Sequence, residues 1–106
     1  MSKQDKHLYE FGPFRLDASE RLLTRAGERV PLTEKAFDTL AALVRRGSRL
    51  VSKEELIAEV WPDAFVEENN LDKSISAIRQ ALGEKPSAPE YVETVRGRGY
   101  RFVAPV

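Results

Sequence analysis

The residues best equipped for chemistry stand near the end of the chain, in Arg96-Gly97-Arg98-Gly99, with Arg101 close behind. Guanidinium groups offer several donors in a rigid fork suited to phosphate and carboxylate, and glycine lets a turn approach a surface closely. A second set precedes them. Placed at 100° steps, Asn69, Lys73, Ser76, Ala77 and Gln80 share one helical face, with Arg79 and Asp72 on one flank and Ser74 on the other. This face carries hydrogen-bonding groups and little bulk, which suits a helix that must lie against something. Reactive types are otherwise sparse. Without cysteine there is no thiolate nucleophile, disulfide or Cys-based metal site. The single histidine, His7, which any nucleophile–base pair would have to use, lies in a polar N-terminal stretch that reads as a loose tail. Gly97-Arg98-Gly99 lacks the third glycine and the strand-to-helix setting of a dinucleotide loop. The adjacent carboxylates Glu54-Glu55 and Glu67-Glu68 suit the positive ends of helices and need no reaction to explain them. The expectation is no catalytic residue, no cofactor and no metal, with an enzyme as the weakest of the readings.

The elements that must hold these groups are legible in turn. Residues 1–7 are polar and aperiodic and read as a flexible tail, leaving 8–106 as a single domain near the modal domain size. From Leu8 to Leu32 the texture is β. Leu8-Tyr9-Glu10-Phe11, a Gly12-Pro13 turn and the alternating Phe14-Arg15-Leu16-Asp17 come first, then Arg21 to Arg25 and Glu28 to Leu32 hinged at Ala26-Gly27. That gives an antiparallel sheet of about four strands over 8–32. Residues 33–83 then hold three helices. Thr33 caps Glu34 to Arg46, where Phe37, Leu40, Ala41 and Val44 recur at helical spacing until Gly47. Ser52-Lys53-Glu54-Glu55 is a capping box, flanked by Val51 and Leu56 as a staple, and this second helix must close before Pro62. In the third, Leu71, Ile75, Ile78 and Leu82 form one buried stripe ending at Gly83, with Glu67 and Glu68 placed to cap its start. Residues 84–106 supply a Pro-containing loop and then two β runs, Tyr91 to Val95 and Tyr100 to Val103, read as a hairpin around the arginine turn.

A helix, a connection, a helix with one polar face and a hairpin tipped with arginine give an α+β fold, the outline of a winged helix-turn-helix. A helix fits the major groove and presents donors and acceptors to base edges, while an arginine from a wing enters a narrow minor groove. Net charge argues the other way. The 17 Lys and Arg balance 17 Asp and Glu, whereas a free-standing nucleic-acid binder is usually basic. The charge must therefore be local, and the rival reading is a winged-helix protein-interaction domain without DNA binding. Trp61 packs or offers its indole N–H to a phosphate. The stretch Pro62 to Asn69, with Phe65 and Val66 among acidic residues, exceeds a tight helix-turn-helix connection and reads equally as a packed loop or a protein-contact surface. A reducing, cytoplasmic setting fits the lack of cysteine; no apolar run approaches the ~18 residues of a spanning helix, and Met1-Ser2-Lys3-Gln4-Asp5-Lys6 lacks the apolar stretch of a signal peptide.

Trp61-Pro62-Asp63, Val66-Glu67-Glu68-Asn69-Asn70-Leu71, Ile75, Ile78-Arg79, Ala81-Leu82-Gly83 and above all Thr94-Val95-Arg96-Gly97-Arg98-Gly99-Tyr100-Arg101-Phe102 resemble the OmpR/PhoB-type DNA-binding domain. Leu32 to Phe37 and Ser52 to Leu56 match its first two helices. The resemblance covers about Leu8 to Val106. It implies bacterial transcription regulation, double-stranded DNA as partner, the third helix in the major groove and the wing in the minor groove. The positions resembling the family's DNA-contacting residues are Trp61, Asn70, Lys73, Ser74, Ser76, Arg79, Thr94, Arg96 and Tyr100. Many response regulators carry two adjacent arginines where this chain has Ser76-Ala77, which implies weaker guanine readout from that turn. The loop 62–69 corresponds to the segment that in some members touches RNA polymerase. Self-association is expected to be weak and confined to tandem half-sites. A start within ten residues of Met1 resembles the CadC/ToxR group, whose cytoplasmic domain precedes a membrane segment, so any membrane attachment is expected through a segment absent from this chain.

Overall fold

The computed structural model describes residues 8–84 and 90–106. The proposed tail, 1–7, and most of the Pro-containing loop lie outside them. Four strands open the domain: β1 (Leu8–Phe11), β2 (Phe14–Asp17), β3 (Leu22–Arg25) and β4 (Glu28–Arg29), paired in that order as an antiparallel meander. Cross-strand partners include Phe11 with Phe14 and Leu16 with Leu23, so these four residues share the inner face. The last strand is shorter than its sequence suggests. Val30 still donates to the Leu23 carbonyl at 2.8 Å, but Pro31 has no N–H to continue the ladder.

The helices follow the expected spans within a residue. Thr33 Oγ1 accepts from the Ala36 amide at 3.2 Å and starts α1 (Glu34–Arg45), whose residues from Ala36 to Val44, Asp38 excepted, are buried. This helix packs against both of the others, and its buried residues belong to one core with Phe11, Phe14, Leu16 and Leu23 of the meander. The capping box forms in full at α2 (Lys53–Val60): Ser52 Oγ accepts from the Glu55 amide and Glu55 Oε1 accepts from the Ser52 amide, both at 3.0 Å. Trp61 ends the helix one residue before Pro62. Leu71, Ile75, Ile78 and Leu82 are all buried under α3 (Glu68–Leu82), which stops at Gly83 in the left-handed conformation. At about 1.5–3 kcal/mol for each such side chain, this stripe fixes the face that α3 turns inward, and so the face it turns outward. One expectation fails at its start. Glu67 occupies the N-cap position, but its carboxylate makes no cap hydrogen bond, and Glu68 pairs with Lys53 instead.

The C-terminal hairpin, β6 (Val92–Val95) and β7 (Gly99–Phe102), pairs Thr94 with Tyr100 and Val95 with Gly99. It is not free-standing. A two-residue strand, β5 (Val51–Ser52), pairs antiparallel with β7 and makes a three-stranded sheet of order β5-β7-β6. At its base Phe11, Phe14, Tyr91 and Phe102 pack edge and face, with Phe11 and Phe102 centroids 5.0 Å apart, which joins the meander to the hairpin. Among the described residues, no helix is long and apolar enough to cross a membrane.

Candidate nucleic-acid interface

Asn69, Asn70, Lys73, Ser76 and Gln80 are exposed on α3, opposite the buried stripe, with Ala77 half-buried beside them. This is the face that helical spacing selects. Ser74 belongs elsewhere: it is 7% exposed and sits on the inward side of the flank assigned to it. One turn of helix therefore presents Lys73, Ser76 and Ala77 without Ser74.

Arg96 and Arg98 are exposed at the hairpin tip. Arg98 donates its amide to the Val95 carbonyl at 2.9 Å, closing a β-turn whose third position, Gly97, has φ +74°. Gly99 plays a different part from the one its sequence position suggests. A Cβ there would lie 2.0 Å from the Val51 carbonyl oxygen and 2.8 Å from Ser52 Cα, so its missing side chain makes room for β5 rather than for a sugar-phosphate wall. Lys73, Arg96 and Arg98 have no carboxylate within salt-bridge distance among the described residues, whereas Arg15, Arg21, Arg45, Arg46, Lys53, Arg79 and Arg101 are each paired. Zero net charge thus conceals a local excess. At the hairpin tip Arg96 and Arg98 are exposed without a carboxylate beside them among the described residues, and Lys73 is the corresponding cation on the outward face of α3.

Two side chains, through three hydrogen bonds, tie the hairpin to α3. Arg79, its side chain only 13% exposed, donates through Nη2 to the Val92 carbonyl at 2.9 Å and to Thr94 Oγ1 at 2.7 Å. On the other strand Tyr100, 4% exposed, donates its hydroxyl to Asp72 Oδ1 at 2.8 Å. Burial and that bond to a carboxylate hold the Tyr100 hydroxyl well above the usual phenol range, so it remains a donor. Lys53 of α2 completes this corner, 3.7 Å from Asp72 and 6.0 Å from the Tyr100 ring centroid. Arg79, Thr94 and Tyr100 already have partners in the protein, and only Thr94 of the three is exposed. Trp61 is half-buried against the core, with Lys35 Nζ 6.0 Å from its ring. Phe65, in the connection to α3, is fully exposed.

Sequence reading missed Asp72, Lys53 and Glu84 as parts of this arrangement. Glu84 follows the C-terminus of α3, where the helix dipole disfavours a carboxylate. That misplacement is the signal that could have found it, because such a group persists only with donors of its own. Its fully buried carboxylate accepts from the Tyr91 amide at 3.0 Å and the Val92 amide at 3.2 Å, with Arg79 Nε 3.6 Å away. Burial raises its pKa above the ordinary value, against the lowering effect of those amides and of Arg79.

The family described as transcriptional regulatory protein, C terminal, matches residues 27–102. The sensory transduction protein RegX3 of Mycolicibacterium smegmatis is 34% identical over 99 residues, covering 92% of this chain and 43% of RegX3. The chain spans under half the length of the curated relatives it matches first. Among solved structures, the Klebsiella pneumoniae RstA DNA-binding domain in complex with the RstA box superposes with a TM-score of 0.81 at 26% identity, covering 91% of this chain and 96% of that one. The DNA-binding domain of E. coli CadC superposes at 0.80 with 27% identity, covering 94% of each.

Proposed function

The chain belongs to the family of transcriptional regulatory protein C-terminal domains, of OmpR/PhoB type, and from that premise we propose how it carries out sequence-specific duplex DNA binding in bacterial transcription regulation. The outward face of α3 lies in the major groove, where Asn69, Asn70, Lys73, Ser76, Ala77 and Gln80 meet base edges and the adjacent backbone. Arg96 enters the minor groove, and Arg98 meets phosphate beside it. Arg79, Thr94, Tyr100 and Ser74 support these surfaces, and Trp61 contributes through packing and, by its indole N–H, to a phosphate.

The observation that carries this reading is the fastening of the hairpin to α3 through Arg79–Thr94 and Tyr100–Asp72, which holds the exposed arginine tip and the outward polar face of α3 in fixed relation. Selection of bound duplexes from a random pool tests it. A recurring motif with an A·T-rich flank is the expected result, and tandem motifs about one helical turn apart would reveal two copies gaining affinity through effective concentration. A pool that never enriches would favour the fold-only reading, a protein-interaction domain.

The fully exposed Phe65 favours a second contact, with RNA polymerase, through the loop 62–69. A lone apolar ring amid acidic residues is a typical anchor for a protein partner. Phe65→Ala is expected to keep DNA affinity within about twofold while reducing activated transcription in a reconstituted assay. Equal transcription by both proteins would remove the loop from this role.

A further inference from the structure

The buried carboxylate of Glu84 has no part in the DNA contacts proposed above, yet it sits where the C-terminus of α3 meets the start of β6. Its oxygens take the Tyr91 and Val92 amides, which begin the hairpin. Its own amide donates to the Arg79 carbonyl at 2.9 Å, fastening it to the last turn of α3. Arg79 then reaches past it to the Val92 carbonyl and Thr94 Oγ1, so Val92 is gripped at both its N–H and its carbonyl. A buried carboxylate accepting backbone donors with a guanidinium beside it is a strong, directional contact, because every alternative partner is excluded with the water.

We propose that Glu84 is a positioning residue for DNA recognition: with Arg79 it locks the hairpin onto α3, so that wing and recognition helix engage their two grooves as one rigid body. The inference rests on the assignment of Arg96 to the minor groove. The hairpin is otherwise short, four residues a strand, and a two-stranded ribbon of that length does not hold its own direction in water. Its far edge, β7, is held by β5 and by the Tyr100–Asp72 bond; the near edge, β6, is held by Glu84 and Arg79. Releasing the near edge leaves the arginine tip attached but no longer aimed. The loss should therefore fall on what the wing reads and spare what α3 reads.

Two duplexes with the same core, one with an A·T-rich flank and one with a G·C-rich flank, separate these outcomes. The ratio of their affinities does not depend on the fraction of protein that is folded. For the unaltered domain the A·T-rich duplex is expected to bind about tenfold more tightly. Glu84→Gln, which is isosteric and removes the charge, should bring the ratio to about two while discrimination against a mutated core is kept. Glu84→Asp keeps the charge but shortens its reach, and should shift the ratio in the same direction; it also serves should the glutamine variant not fold. Arg96→Ala is the reference for complete loss of wing reading. If Arg96→Ala lost the flank preference and both Glu84 variants kept it, Glu84 would be a stability residue only and the proposal would fall while the wing assignment stood. If Arg96→Ala kept the preference, the wing assignment would fall and the proposal with it.

Discussion

Lys73 and Arg96 are both exposed cations without a carboxylate partner among the described residues, but they stand on unlike supports. Lys73 rises from the middle of a helix whose opposite face is fixed by Leu71, Ile75, Ile78 and Leu82; Arg96 stands at the second position of a tight turn. In the proposed docking a lysine on the outward face of α3 would meet particular base pairs, so Lys73→Ala should cost about 1–3 kcal/mol chiefly at those positions. Arg96→Ala should instead weaken binding most on A·T-rich flanks. Titrating both variants against matched duplexes checks the division, and uniform weakening by Lys73→Ala would contradict it. Since Ser76 and Ala77 add no cation beside Lys73, the wing should supply a large share of total affinity. Gly99 makes a sharper demand. With the Val51 carbonyl 2.0 Å from where a Cβ would stand, Gly99→Ala must push β5 off β7, at a cost of about 3 kcal/mol. Chemical denaturation with an unchanged m-value is the measurement, and a shift below that of Gly97→Ala, where nothing lies within 4 Å, would refute the close approach.

At the scale of elements, α2 is the shortest of the three helices and leans most on its start. Ser52→Ala removes the oxygen that satisfies the Glu55 amide and should cost about 1 kcal/mol of stability. The other arm depends on pH. The Ser52 amide lowers the Glu55 pKa below its ordinary value, ahead of smaller contributions from Arg49 and Arg46, so the folded state binds that proton less readily than the unfolded chain does. Its stabilisation is complete above the ordinary carboxylate pKa and is lost as pH falls through the lowered value. The stability difference between the unaltered protein and Glu55→Gln should therefore shrink between about pH 6 and about pH 3, as thermal unfolding across that range would record. A difference that widened on acidification would place the stabilisation elsewhere. Ser52 has a second duty, because β5 ends on it and pairs it with Gly99, so a helix cap and a wing strand share one residue.

For the whole molecule, charge balance and DNA binding are reconciled by placement. Acidic groups pair with Arg15, Arg21, Arg45, Arg46 and Lys53 away from the hairpin tip, and the cations left without such partners include those at the interface. Attraction to DNA through the proposed contacts should then be local and modest. With about three to five phosphate contacts, log affinity should fall against log salt with a slope of roughly −3 to −4. Anisotropy titrations at several salt concentrations provide the slope, and a value near zero would mean that phosphate contacts contribute nothing.

Local rules acting over a few residues made most of this protein legible from its sequence. The caps at Thr33 and Ser52, the stop at Gly83, the four-residue alternation of the meander and the stripe under α3 each depend on neighbours within a turn or a hairpin, and each stands where spacing put it. The outward face of α3 followed from its inward one. What spacing left open was decided by residues far apart in the chain. The pairing of Val51-Ser52 with Tyr100 and Gly99 joins segments nearly fifty residues apart, with no periodicity to announce it. Ser74, drawn on a flank by ideal geometry, turned inward, and Glu67 took the cap position without capping. Arg79, Tyr100 and Glu84 read as a cation, a wing aromatic and a loop acid; their work as fasteners exists only because β6 and β7 pack on α3 and exclude water, so that Arg79 Nη2, the Tyr100 hydroxyl and the Glu84 carboxylate take their partners inside the protein.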